Sequence, residues 1–311
     1  MAGDMVGVSA EPWEDPAWLE GAVAWVDDRL AGAGRPRTGE PDQVHVRPWS
    51  TVLRVPTADG PVWFKANMEA LRHEATVVLL LARRVPDRVP PLIADDPDRG
   101  WMLMEDAGRR LREVIAEERD LSRWDDILEG AADIARAMET DVDALVGAGV
   151  PDMRLAVLPD RYAALVEAED VEQRFRDAVP RVRELAEELA TYAVTETLQH
   201  DDLHDGNVFV RAGRHLILDW GDAVVSHPFF TMSVTLEGFV AWGLDDVENA
   251  VDIAPLIDRH LRRYAPDRPE LRDAVPIALR LGWACRAANR TIAEDPESTR
   301  SRLRMFLDGR V

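Results

Sequence analysis

The segment His200-Asp201-Asp202-Leu203-His204-Asp205-Gly206-Asn207, with Asp219-Trp220-Gly221 following twelve residues after Asn207, decides how this chain reads. Between its two ends lie Asn207 to Arg211 and His215 to Leu218, short strand-like runs joined by Ala212-Gly213-Arg214, the pattern of a β-hairpin. A hairpin returns its second strand beside its first, so Asn207 and Asp219 are expected close together. Both carry hard oxygen donors of the kind Mg²⁺ takes. Asp202, on the same loop, is the carboxylate expected to accept or orient a hydroxyl proton. His200 is expected to brace the loop by hydrogen bonds, and His204 either to brace it or to contact the site from behind.

Order and spacing fit the kinase patterns H-x-D-L-x-x-x-N and D-F-G, with Asp201 in place of Arg and Trp220 in place of Phe. Phosphoryl transfer asks a protein for positioning and charge neutralisation more than for covalent chemistry. On that reading Asp202 is the catalytic residue and Asn207 and Asp219 hold the metal. The other half of the chain supplies an independent test. Of 37 basic residues all but Lys65 are arginine, and a compact ammonium is not interchangeable with a guanidinium at a phosphate. Lys65 closes a strand-like run, and Glu74, nine residues on along a predicted helix, is placed to pair with it. Glu69 is the competing partner. No G-x-G-x-x-G is present; Arg47-Pro48-Trp49-Ser50-Thr51 stands in its place, where Ser50 or Thr51 offers hydroxyl and N–H groups to a phosphate.

Around these motifs the chain has two characters. The apolar spacing from Asp15 to Leu30 predicts an amphipathic helix, and Gly/Pro-rich Ala31 to Asp42 a linker. Strands are expected at Val44–Val46, Val52–Val55 and Val62–Ala66, a helix over Glu69–Arg84, and strands at Leu92–Ala94 and Trp101–Met104. Beyond Gly108 helices are expected over 116–139, 160–178 and 182–191, interrupted by Pro151, Pro159 and Pro180, and again from Ser233 to the end. The fold class is α+β and bilobal. A small sheet lobe with one main helix spans 1–104, a hinge 105–108, and a larger helical lobe 109–311.

A net charge of −21 argues against nucleic acid or an anionic membrane as partner and is compatible with a cationic small molecule. The longest apolar runs, such as Val77 to Ala82, fall far short of a membrane span. The acidic start, with Asp4 and Glu11, does not read as a signal peptide. The single cysteine, Cys285, leaves no internal disulfide. A cytoplasmic enzyme is expected; its oligomeric state is not legible.

The chain resembles the aminoglycoside phosphotransferase and choline kinase-like family of small-molecule kinases over residues 44–290. The resemblance rests on Phe64-Lys65, Glu74, Met102-Leu103-Met104-Glu105-Asp106, the His200–Asn207 loop and Leu218-Asp219-Trp220. It implies ATP or GTP as donor, Mg²⁺ on Asn207 and Asp219, Lys65 on the phosphates, and adenine held by backbone groups near Glu105 and Ala107. The acceptor implied is a hydroxyl of an aminoglycoside-like antibiotic, amino sugar or amino alcohol. Three departures stand out: Asp201 replaces the usual Gly, His227-Pro228-Phe229-Phe230-Thr231-Met232 replaces the segment after the metal-binding Asp, and Ala137-Met138 replaces a Leu-His. Asp201 is expected to favour a cationic acceptor or face solvent, and the 227–232 segment to reshape the acceptor side.

Three other readings remain. A protein-directed kinase lacks an activation segment here, and a non-catalytic nucleotide-binding scaffold leaves the complete residue set unexplained. A metal-dependent hydrolase would use His200, Asp202, His204 and Asp205. Acceptor contacts are expected from the helical half, with Asp245, Asp246, Glu248, Asp252, Trp242, Trp283, Arg286 and Asn289 as candidates.

Overall fold

The Asp15 carboxylate accepts the Ala17 N–H at 2.9 Å and Pro16 follows it, so these residues start helix α1 (Pro16–Gly32). The structure, a computed structural model, describes residues 12–247, 249–289 and 296–309. The acidic start at Asp4 and Glu11, and Glu248, lie outside them. Two compact units, 1–107 and 108–311, make up the chain.

In the first unit, β1 (Asp42–Arg47), β2 (Ser50–Thr57), β3 (Gly60–Asn67), α2 (His73–Arg84), β4 (Leu92–Asp96) and β5 (Trp101–Glu105) follow the expected order. The strands form one antiparallel sheet in the order β1-β2-β3-β5-β4. α1 buries Ala22, Trp25, Val26 and Leu30 with Leu53, Val55, Val62, Phe64 and Ala66 of the sheet. Trp101 meets Trp18, Trp25 and Phe64 edge-on at 5.4 to 5.8 Å between centroids, within the favoured range for aromatic pairs. Strand alternation then decides the fate of the lysine: with Phe64 and Ala66 facing α1, Lys65 faces the other way.

The second unit opens with β6 (Arg109–Arg110) and continues through α3 (Leu111–Glu118), α4 (Trp124–Ala137), α5 (Val142–Gly147), α6 (Leu158–Ala168), α7 (Gln173–Asp177) and α8 (Val179–Ala190). The helix expected over 116–139 is two helices. Arg119 takes a left-handed φ of 55°, and Asp120 accepts the Ser122 N–H at 2.8 Å, a local bond that competes with helix. The helix expected over 160–178 is likewise split into α6 and α7. Pro159 and Pro180 do not interrupt helices; they lie in the first turns of α6 and α8, where the missing N–H has no intrahelical partner to lose.

Four short strands follow: β7 (Thr197–Gln199), β8 (Val208–Arg211), β9 (Arg214–Ile217) and β10 (Val224–Ser226). β8 and β9 are the expected hairpin, turned by Ala212 and Gly213 at φ 50° and 78°, the positive-φ pair of a two-residue turn. The β7–β10 pairing gave no signal in the sequence. It closes the base of the loop that β8–β9 closes at the top. From Ser233 regular helix was expected at once; instead Ser233–Glu237 is a single π turn and Val240–Trp242 a 3₁₀ turn. Then come α9 (Ala254–Tyr264), α10 (Leu271–Ala288) and α11 (Pro296–Asp308). α10 runs through the core, and Gly282 lets it approach the Ser233 turn: a Cβ there would stand 2.0 Å from Ser233 Oγ. Residues 227–232 are all buried, so His227-Pro228-Phe229-Phe230-Thr231-Met232 is core and not acceptor surface. No helix among the described residues is long and apolar enough to cross a membrane.

Two core histidines set a pH dependence. His260 donates from Nδ1 to the Leu128 carbonyl at 3.0 Å, and burial pushes its imidazole down to about 4 against that bond. Burial pushes His227 down to about 3. The unfolded chain takes up these protons near pH 6.5, so the stability the neutral rings contribute is present above 6.5 and is lost as pH falls toward 4. The fall in melting temperature from pH 7 to 5 should therefore be shallower in a His260→Gln variant than in the parent. Identical slopes would refute the assignment.

Candidate functional site

The Lys65 ammonium, on β3, lies 2.7 Å from Glu74 Oε2 and 2.9 Å from Oε1 in the first turn of α2. Asn67 Nδ2 donates to the same carboxylate at 2.8 Å. Their side chains are largely buried, 13% exposed for Lys65 and 3% for Glu74, so the pair is a fixed charge positioner and not a surface contact. Glu69, the competing partner, is exposed beside Arg72. Asn67 was missed in the sequence because a strand-end asparagine carries no signal of its own. The turn between β1 and β2 is only Pro48-Trp49. Ser50 is buried beyond it, and Thr51 donates to His45 O at 2.8 Å and accepts from Gln43 at 2.9 Å, which commits that hydroxyl to the hairpin. Glu105 donates its N–H to Pro91 O at 2.9 Å and pairs its carboxylate with Arg35; Ala107 is buried.

In the second unit the loop between β7 and β8 carries the other expected residues. His200 Nε2 donates to Leu218 O at 2.8 Å, and Leu218 N–H donates to Asn207 O at 2.9 Å. These bonds tie the loop to the residue before Asp219. Asn207 Nδ2 donates to the Asp202 carbonyl at 3.0 Å, which fixes the amide against the loop; its Oδ1 is an acceptor and the oxygen a metal would take. Asp219 sits at the end of the hairpin in a left-handed conformation, φ 65°. Such strain in a non-glycine residue is held in place by its surroundings and recurs at functional sites. From behind, Thr235 donates to Leu203 O at 2.9 Å. Arg112 holds Asp205 through Nε and Nη2, at 3.0 and 2.8 Å.

Asp201 corrects an expectation. It neither faces solvent nor adds charge for an acceptor; it is 2% exposed. Its Oδ1 accepts from Gln199 at 3.0 Å and its Oδ2 from Asn289 at 2.8 Å, while its own N–H donates to Gln199 Oε1 at 2.9 Å. Arg286, reaching in from α10, lies 3.1 Å from Asp202 Oδ1, 3.1 Å from Asp222 Oδ2 and 3.8 Å from Asp201 Oδ2. Arg286 and Asn289, read as candidate acceptor contacts, are thus buried supports of the loop. Neither role has a local sequence signal. Other acidic candidates are also engaged: Asp245 with Arg119 at 2.7 Å, and Asp252 on the Ala254 N–H at 3.0 Å where α9 starts. Trp283 donates to Glu237 at 2.7 Å.

The electrostatics follow from these contacts. Burial works against an ionised Asp202, but the His204 imidazole and the Arg286 guanidinium outweigh it and hold the carboxyl well below the usual range. Burial also works against protonated His204. Asp202 at 3.6 Å and Asp205 at 3.8 Å favour it and raise the imidazole to about 9. The Gly206 N–H opposes that, since it donates to Nδ1 at 2.9 Å and requires that nitrogen bare. Burial pushes Asp201 up to about 6 against Arg286 and its two amide donors. Among the described residues, no group of three or more His, Cys, Asp or Glu side chains is placed to hold a metal ion. The histidine–aspartate cluster of a hydrolase is therefore not assembled.

With this geometry in hand, one comparison decides the family. The model of the phosphotransferase enzyme family (APH) matches residues 36–273, which span Lys65 through Asp219. The chain belongs to that family. This phosphotransferase is thus an enzyme of the small-molecule kinase class. No curated protein matches its sequence. Among solved structures it is similar to a choline/ethanolamine kinase family protein from Mesorhizobium loti, at 15% identity and a TM-score of 0.60 over 93% of this chain and 96% of that one. The GDP and kanamycin complex of APH(2")-IIia matches at 15% identity and 0.59 over 92% and 97%. A macrolide 2'-phosphotransferase from Brachybacterium faecium matches at 16% and 0.55 over 90% and 97%. Likeness at this identity carries the fold, a protein-kinase-like one.

The backbone at Asp201, φ 62°, makes a stability prediction for the phosphotransferase. Asp201→Ala and Asp201→Gly both lose the side-chain bonds from Gln199 and Asn289, but only glycine suits the left-handed conformation. The alanine variant should be less stable than the glycine variant by about 1–2 kcal/mol in denaturant unfolding. Equal stabilities would show that the loop relaxes out of this conformation.

Proposed function

We propose that the phosphotransferase moves the γ-phosphoryl group of ATP to a hydroxyl of a small molecule, with Mg²⁺ held by Asn207 and Asp219. The observation that carries this reading is the single frame formed by the loop and hairpin. Asn207 bonds at once to the Asp202 carbonyl and, through its own carbonyl, to the residue before Asp219. The donor set is all hard oxygen, an amide and a carboxylate, which fits Mg²⁺. When bound, the ion would neutralise charge on the nucleotide phosphates.

The chain's own residues then divide the work. Lys65, oriented by Glu74 and Asn67, contacts the phosphates as a point charge. The Glu105 N–H is engaged with Pro91, so adenine contacts in that stretch fall to the Glu105 carbonyl and the Ala107 backbone. Ser50 is buried at the head of β2, so phosphate contacts at the β1–β2 turn fall to its backbone. Asp202 accepts the hydrogen bond of the incoming hydroxyl and aligns it for attack, and Arg286 fixes the direction of that carboxylate. GTP is the alternative donor. The first unit thus takes the nucleotide, and the second the metal and acceptor.

Acceptor-dependent ADP release should fall at least about a hundredfold in Asp202→Ala, with the fold intact by circular dichroism. It should vanish on chelation and return with Mg²⁺. Unchanged turnover in Asp202→Ala sinks the proposal. Lys65→Met should raise the KM for ATP and lower kcat/KM, measured by the same coupled assay.

A further inference from the structure

A cavity of about 460 Å³ lies in the second unit between α3, the start of α4 and residues 238–246. Its size falls in the range of small-molecule sites. Asp205, three residues from Asp202, stands in its wall, and the Arg112 N–H donates to the Asp205 carbonyl at 3.1 Å, tying α3 to the loop. Phe239, also in the wall, stacks on His204 with 5.0 Å between centroids and planes 14° apart. The Nε2 of that imidazole is 3.6 Å from Asp202 Oδ2. One ring therefore separates the cavity wall from the proposed base.

The wall is mostly apolar, with Ile115, Leu121, Trp124, Phe239, Val240 and Trp242. Its charged members are Arg112, Arg119, Asp205 and Asp246, two of each sign. Arg112 already takes up Asp205, and Arg119 takes up Asp245 just outside. A polycation entering here would lose its water and meet only Asp246 as a wall carboxylate not taken up by these arginines, which does not offset several desolvated charges. A small quaternary ammonium needs aromatic faces within about 6 Å on several sides, and would rattle in this volume. An apolar molecule of larger size gains from burial against the aromatic wall.

We infer that this cavity is the acceptor site and that the acceptor is a neutral or singly charged alcohol with a bulky apolar body. The inference rests on the phosphotransferase reading above and deepens it, since a hydroxyl presented past Phe239 and His204 is the one Asp202 can reach.

Calorimetric titration of the full chain, with and without Mg-ATP, tests it. The probes are erythromycin, a steroid alcohol and chloramphenicol for the apolar class, kanamycin for polycations, and choline for the small quaternary ammonium. At least one apolar alcohol should bind, tenfold or more weakly in Phe239→Ala and in Trp242→Ala, with Trp242→Phe recovering most of the affinity. That alcohol should also stimulate ADP release. If no apolar member binds, or if kanamycin or choline is bound and phosphorylated with the same kcat/KM in the parent and both alanine variants, the inference is overturned. Recovery by Trp242→Phe guards against loss through misfolding. Apolar binding that depends on Phe239 and Trp242 without any ADP release supports the cavity's ligand class and instead sinks the phosphoryl-transfer reading.

Discussion

A single buried guanidinium holds the reactive end of the second unit together. Arg286 is 4% exposed and lies against carboxylates of Asp201, Asp202 and Asp222. Removing an ion from water is costly unless its partners and hydrogen bonds are complete, and three carboxylates around one cation leave a surplus of negative charge. The surplus is divided unequally. Asp201 is the most desolvated and is pushed toward its neutral form, with amide donors from Gln199 and Asn289 in place of water. Asp202 keeps its charge because His204 and Arg286 both face it. The aspartate that replaces glycine beside the base is therefore a structural anchor from the loop to α10. The partly buried carboxylate next door, Asp202, is the one the proposed chemistry uses.

The first unit solves a similar problem with fewer parts. Alternation along β3 sends Phe64 into the aromatic cluster under α1 and Lys65 to the opposite face, where Glu74, itself held by Asn67, receives it. The lysine is tethered at both oxygens of Glu74, which restricts where its ammonium can sit. Positioning of this kind, more than acid–base strength, is what phosphoryl transfer needs from protein side chains.

The charge of the chain turns out to say little about its ligand. A net −21 tempts a cationic acceptor, yet Asp205 and Asp245 beside the second unit's cavity are engaged by arginines and Asp252 by a helix start, which leaves Asp246 in the wall. What remains facing the cavity is mostly aromatic and aliphatic. Net charge is a property of the whole surface, while acceptor choice is decided by the few groups left unpaired at one place.

How much could be read beforehand follows from the range of each interaction. Strand alternation, the Ala212-Gly213 turn, the Asp15-Pro16 helix start and the spacing from His200 to Asp219 are local, and the sequence by itself determined the elements of the first unit, the β8–β9 hairpin, the Lys65–Glu74 pair and the loop's membership of a kinase pattern. The split of 116–139 was legible only in hindsight, through the Asp120–Ser122 bond. Tertiary structure alone decided the burial of Asp201, the reach of Arg286 and Asn289 from α10, the β7–β10 clamp and the sinking of residues 227–232 into the core. Each of these joins positions far apart in the chain, and no spacing rule predicts which distant partner will satisfy a buried charge. For the feature read first, the His200–Asn207 loop, sequence set its pattern, and packing against α10 set which of its two adjacent carboxylates is buried and which keeps access to solvent.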